Sequence, residues 1–248
     1  MKTLTISNQD LIDLNGIDLE GIEELDCSYN DLTCLPTLPQ SLVSLNCSRN
    51  QLKRLPELPE HLMSLNCSFN NLGSLPDKLP KNLLLLTCNF NLLDKLPTLP
   101  ETLTMLICNT NFLLSPLPTL PDSLQYLYCY NNPLVSLPAQ LPHNLVILRC
   151  EHNILTFLPE LPNTLEELYC WDNEIVLMPD LPNSLKVLCT NGVEQINEIK
   201  LYQHNEKRKI LGLSTVEEIT DDERIRSEWQ IWKYRIGGEK YLMSEAIR

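Results

Sequence analysis

The chain has 248 residues, 43% of them apolar but only 6% aromatic, and a net charge of −13. Its longest apolar runs fall far short of the roughly 18 residues that a bilayer-spanning helix needs. The acidity sits in residues 1–193, with 21 acidic against 9 basic side chains, while residues 194–248 carry 11 and 10. That leaves no basic stripe for nucleic acid or for an anionic membrane surface. The opening MKTLTISNQDLIDL has one lysine and no apolar segment, so a secretory signal peptide is not expected.

Residues 1–24 form an irregular opening unit. Leu4 and Ile6 carry the first strand signal, but LIDLNGIDLEG stands where later units have Leu-Pro pairs, as expected of a terminal cap. From residue 25 to 193 a pattern L-x-x-L-x-C-x-x-N-x-L, followed by a doubled Leu-Pro, returns every 20 or 21 residues. A period of that length marks a solenoid. Its anchoring leucines are Leu25, Leu45, Leu65, Leu86, Leu106, Leu127, Leu148, Leu168 and Leu188, with Leu4 as a degenerate first member. A short strand around each L-x-C alternates its side chains, which puts Leu25 and Cys27 inward and Glu24, Asp26 and Ser28 outward. The asparagine column (Asn30, Asn50, Asn70, Asn91, Asn111, Asn132, Asn153, Asn173) turns the chain, its amides bonding backbone groups that the turn leaves unpaired. The return segments, such as Leu35-Pro36-Thr37-Leu38-Pro39, are expected to be extended and polyproline-like, because proline fixes φ and restricts the residue before it.

Eight of the ten cysteines occupy one position of the repeat, and no C-x-x-C occurs. A thiol at an inward position is a small hydrophobe, so the column reads as a reduced core ladder suited to the cytosol, with no metal or other cofactor. All 18 prolines lie at or before Pro182. Residues 194–248 read as helical, with capping boxes at Ser214/Thr215 with Glu217/Glu218 and at Thr220 with Glu223. Ile225, Trp229, Trp232 and Ile236 share one face of that helix, and Gly237-Gly238 stops it. This tail is read as a C-terminal cap on the last repeat, or else as a second interaction module.

L-P-x-L-P-x-x-L-x-x-L-x-C-x-x-N-x-L resembles the short bacterial-type leucine-rich repeat of pathogen effectors, the YopM and IpaH kind. The resemblance covers residue 4 to about 193 and implies an α/β-type repeat fold: a leucine-rich-repeat solenoid with a concave parallel β-sheet and an extended convex side. It further implies action in the cytosol of a eukaryotic host, through binding of a host protein. Two departures are visible. The 55 residues after Val193 contain no cysteine and are too few for the ubiquitin-ligase domain of the IpaH type, so that activity does not carry over. Cysteine stands where the family usually has valine, as in similar repeats of giant viruses and amoeba-associated bacteria.

On such a solenoid the outward columns line the concave face. Early units present small polar residues, while later ones present Met105, Ile107, Tyr126, Tyr128, Tyr130, Ile147, Arg149, Tyr169 and Trp171. These are expected to lie exposed as a protein-binding patch, since Tyr, Trp and Arg dominate binding hot spots; the acidic convex side is the rival surface. The histidines His61, His143, His152 and His204 are scattered, and no glycine lies between Gly73 and Gly192 to cradle a phosphate. The expectation is a non-enzymatic interaction module, monomeric or weakly oligomeric. It would be cytosolic, and delivered to a host cell without a classical signal. The alternatives are an endogenous intracellular scaffold and a substrate-recruiting adaptor for a host ubiquitin ligase.

Overall fold

The structure is a computed structural model that describes residues 2–114 and 116–190, together with residues 202, 205, 206, 209, 212, 214, 215, 217 and 218. Ten three-residue strands follow the repeat: β1 (Thr3–Thr5), β2 (Glu24–Asp26), β3 (Ser44–Asn46), β4 (Ser64–Asn66), β5 (Leu85–Thr87), β6 (Met105–Ile107), β7 (Tyr126–Tyr128), β8 (Ile147–Arg149), β9 (Glu167–Tyr169) and β10 (Val187–Cys189). With β11 (Glu217–Glu218) they make one parallel sheet in strict chain order. The register pairs leucine with leucine, as Leu86↔Leu106 and Leu127↔Leu148. One face of the sheet is therefore a continuous leucine column. This is the expected leucine-rich-repeat solenoid.

A typical turn of the coil sends a leucine and a cysteine in from its strand and four more leucines from its return path, with Ile175 and Met178 replacing two of them after β9. In the turn that starts at β3, Leu45, Cys47, Leu52, Leu55, Leu58 and Leu62 are all buried. Burial of one leucine side chain is worth roughly 1.5–3 kcal/mol, and stacked turns share one core. Cys47, Cys67, Cys88, Cys108, Cys129 and Cys150 have no measurable exposure and form no disulfide. Burial holds their thiols well above the ordinary range, and that of Cys27 at about 12. Such thiols stay protonated and are poor nucleophiles.

The asparagine ladder does what its repetition predicts. Asn111 Nδ2 donates to the carbonyls of Cys88 and Cys108, each at 3.1 Å, and its Oδ1 accepts the Leu93 N–H at 3.1 Å. One side chain thus ties two successive turns at backbone groups that would otherwise be buried and unpaired. The residue just before each asparagine is left-handed: Tyr29, Arg49, Phe69, Phe90, Thr110, Asn131, His152 and Asp172 all have φ between 52 and 55°. A second ladder of hydroxyls closes the strand entry, with Ser41 Oγ on Ile22 O (2.7 Å), Ser123 Oγ on Leu103 O (2.7 Å) and Ser184 Oγ on Leu165 O (2.6 Å).

The tail departs from expectation at one place. Glu217 and Glu218 were read as part of a helix cap, but they pair with Val187 and Leu188 as an added strand. The open edge of β10 offers a row of unpaired N–H and C=O groups, and filling it outweighs a cap worth about 1 kcal/mol. Upstream, Tyr202, Asn205, Glu206 and Lys209 are helical, and Gly212 (φ 68°) returns its N–H to Lys209 O at 3.0 Å. Only glycine takes that positive φ without strain, and it ends the helix there. The helix expected over 220–236, and any capping by it, lies outside the described residues.

Candidate functional site

The sheet face opposite the leucines carries the nine residues singled out from the sequence. Met105 and Ile107 lie on β6, Tyr126 and Tyr128 on β7, Ile147 and Arg149 on β8, and Tyr169 on β9; Tyr130 and Trp171 stand two places beyond the ends of β7 and β9. The structure brings them together in two groups. Met105, Ile107, Tyr128 and Ile147 form an apolar cluster rimmed by Leu85, Tyr126, Tyr130 and Val146. Tyr169 packs with Cys189, Trp171 and Val187.

Arg149 joins the two groups. Its guanidinium lies 5.3 Å from the Tyr130 ring centre and 4.5 Å from that of Tyr169, both within cation–π range. Arg149 Nε donates to Glu151 Oε1 at 2.8 Å, and Nη2 donates to the same oxygen. Burial by itself would lower the arginine pKa, but the Glu151 carboxylate outweighs it and the net shift is upward. Burial raises Glu151 above the usual carboxylate range, with Arg149 opposing. Tyr130 is pushed up to about 12 by burial, again with Arg149 opposing.

The expectation that this patch lies exposed is overturned. Tyr128 is 2% exposed and Tyr169 5%, while Met105, Ile107, Ile147 and Arg149 are also buried; Tyr126, Tyr130 and Trp171 are half-buried. Strands about 4.8 Å apart bring large side chains of the same face into contact. Alternation assigns them to the face correctly, but it says nothing about what stands beside or above them.

The exposed apolar surface lies elsewhere, at the turns. Leu92, Phe112 and Ile154 directly follow ladder asparagines, and Leu114, Val135 and Val176 come two places later. These six are between 42 and 69% exposed. In the earlier units the same two columns hold Asp31, Gln51, Asn71 and Thr33, Lys53, Gly73. Column-by-column comparison of the repeats would have found this ridge, as it found the concave one.

Two histidine–carboxylate pairs occur among the described residues, His143 Nδ1 with Asp122 (3.1 Å) and His152 Nδ1 with Asp172 (2.5 Å). Neither imidazole hydrogen-bonds a hydroxyl or thiol, so neither pair activates a nucleophile. Among the described residues there is no cluster of three or more His, Cys, Asp or Glu able to hold a metal, and no helix long and apolar enough to cross a membrane.

No protein-family model and no curated protein sequence matches the chain. Solved structures do. YopM from Yersinia enterocolitica aligns over 76% of this chain and 46% of its own length, at 37% identity and a TM-score of 0.64. The present chain thus spans about half of that protein. YopM from Yersinia pestis, a leucine-rich effector protein, aligns over 75% of this chain and 70% of its own, at 31% identity and a TM-score of 0.53. A Shigella effector leucine-rich-repeat domain aligns over 71% and 70%, at 28% identity and a TM-score of 0.52. At that identity and coverage, this chain belongs to the YopM-type family of bacterial leucine-rich-repeat proteins.

Proposed function

We propose that this protein is a non-catalytic effector or adaptor that binds a eukaryotic host protein through the concave face of β6–β10, in the host cytosol. One observation carries the reading. With a leucine–cysteine core that hardly changes, the outward columns switch from small polar residues in β2–β4 to aromatic and aliphatic ones in β6–β10, where the fold itself does not demand them. Two structural neighbours, YopM from Yersinia pestis and the Shigella protein, are effectors, which supports the same direction. Tyr128, Arg149, Tyr169 and Trp171 form the aromatic–arginine centre of the site, with Met105, Ile107, Tyr126, Tyr130 and Ile147 around it. A second surface is favoured by its exposure: the turn ridge of Phe112, Leu114, Val135 and Val176.

Capture from eukaryotic cell extract tests the reading. Wild-type protein is compared with a folded Tyr128→Ala, Tyr169→Ala, Trp171→Ala variant and with a Phe112→Ser, Val176→Ser variant. Loss of a captured protein only in the first places the site on the concave face. Loss only in the second moves it to the ridge. Equal capture by all three sinks both surfaces, and absence of the protein from host cytosol during infection would favour an endogenous scaffold.

A further inference from the structure

The turn ridge is a surface that the fold does not require. The turns after β5, β6, β7, β8 and β9 each place a large apolar side chain outward within four residues of the ladder asparagine. Phe157 and Leu177, at 52 and 61% exposure, extend the row of six described above. Between and beside these residues, Leu93, Leu113, Leu134 and Leu155 turn inward and are at most 1% exposed. In the earlier repeats Leu52 and Leu72 are just as buried, yet their outward neighbours are Gln51, Lys53, Asn71 and Gly73. The coil therefore closes equally well with polar residues at the ridge positions. Contiguous exposed apolar surface that packing does not explain marks an interaction site.

We propose that this ridge docks an amphipathic helix of a partner protein, apolar along one face and flanked by lysine or arginine. Rigidity, spacing and charge agree. The ridge is held in place by its backbone: Phe112 N–H donates to Leu93 O at 2.9 Å, and Ile154 N–H to Leu134 O at 3.1 Å. Phe157 also bridges Leu177 in parallel register. A preformed surface of this kind loses little freedom on binding. Hydrogen-bonded turns lie about 4.8 Å apart, and a helix advances about 5.4 Å per turn. One apolar residue per helical turn thus meets one repeat, the i, i+4, i+7 pattern of helix docking. From the Leu92 turn to the Val176 turn is about 19 Å, the length of a helix of about 13 residues. The exposed charged side chains within three residues of the ridge are Asp94, Glu160, Glu174 and Asp180 against Lys95. A basic helix is attracted there, whereas a second copy would bring the same acidic flanks and a net charge of −13. The asparagine ladder separates the ridge from the concave face, so both surfaces can be filled at once. The inference rests on the ridge alone and stands or falls apart from the concave reading.

The test titrates the full chain into a fluorescein-labelled helical peptide of about 15 residues, read by fluorescence polarisation. Leucines at i, i+4, i+7 and i+11 form its stripe, with lysine and alanine elsewhere. A scrambled peptide of the same composition controls for charge. The striped peptide should bind at least about tenfold more tightly than the scramble. The Phe112→Ser, Val176→Ser variant should lose that preference, and the Tyr128→Ala, Tyr169→Ala, Trp171→Ala variant should keep it, with both shown to be folded by thermal melting. Equal binding of the two peptides, a preference that survives the ridge variant, or no binding overturns the proposal. So does a dimer in light scattering that the ridge variant abolishes, which makes a second copy the occupant. Flotation of the chain with phosphatidylcholine vesicles overturns it as well, in favour of a lipid surface. Failure with the peptide leaves concave-dependent capture from host extract standing, and failure of that capture leaves the docking result standing.

Discussion

The repeats of β2–β4 and those of β6–β10 share one core and differ in almost everything that faces outward. In the first set, Ser48 Oγ donates to Asn46 Oδ1 and Ser68 Oγ to Asn66 Oδ1 within each repeat, at 2.8 and 2.7 Å. In the second, the same columns hold Tyr128, Arg149, Tyr169 and Trp171 in a stacked, charged and largely buried arrangement. The turn columns change in parallel, from Gln51 and Lys53 to Phe112 and Leu114. Core positions vary only among apolar residues of similar size, as at Ile175 and Met178, because each must fit the turns on either side of it. The outward positions vary freely, so their difference reflects what they meet.

The largest effect should separate the two sets. Arg149→Met leaves the Glu151 charge buried and unpaired, and is expected to cost about 3–5 kcal/mol in urea unfolding, whereas the Arg149→Met, Glu151→Leu double variant returns close to wild type. The matching early change, Asn66→Ala, should cost about 1 kcal/mol. If both single variants cost the same, the later set has no special centre. Next, Leu45→Ala and Leu106→Ala, one from each set and both fully buried, should each cost about 3 kcal/mol; a large gap between them would show that the core is not shared equally. Asn50→Ala and Asn111→Ala should each cost about 2 kcal/mol, since buried backbone groups lose their partner.

The pH dependence belongs to the later set alone. Burial raises the folded pKa of Glu151 above its unfolded value. Its contribution is therefore fully present below the unfolded pKa and lost as pH rises through the folded one. Wild type should gain stability relative to the Arg149→Met, Glu151→Leu variant as the pH falls from neutral toward the carboxylate range, as read by thermal unfolding at several pH values. The smallest effect is a gain: Thr110→Asn should raise stability by up to about 1 kcal/mol, because asparagine tolerates the left-handed φ of 55° better than a β-branched residue does.

Reading from sequence worked wherever a residue's neighbours are copies of itself. Leu86, Leu106 and Leu127 announce the strand, its register and its buried face together, and Asn111 announces the turn. It worked less well where the neighbour is not a copy. Tyr128 and Arg149 were placed on the correct face but expected in solvent, since their exposure depends on side chains one strand away and on what covers them. Glu217 and Glu218 looked like helix-cap acids because a local pattern cannot register an open strand edge some 30 residues upstream. The left-handed column at Tyr29, Phe69 and Phe90 has no residue-type signature, as aromatic stacking there (Phe69 to Phe90 centroids at 4.2 Å) compensates for a conformation such residues usually avoid.

The sequence alone determined the solenoid, the inward leucine and cysteine columns and the asparagine turns, because a 20–21-residue period leaves only one way to bury its apolar face. Tertiary structure decided which outward residues are accessible, how Arg149 joins the two aromatic groups and that an eleventh strand closes the sheet edge. Each of these depends on distances between residues far apart in the chain, and periodicity carries no information about such distances.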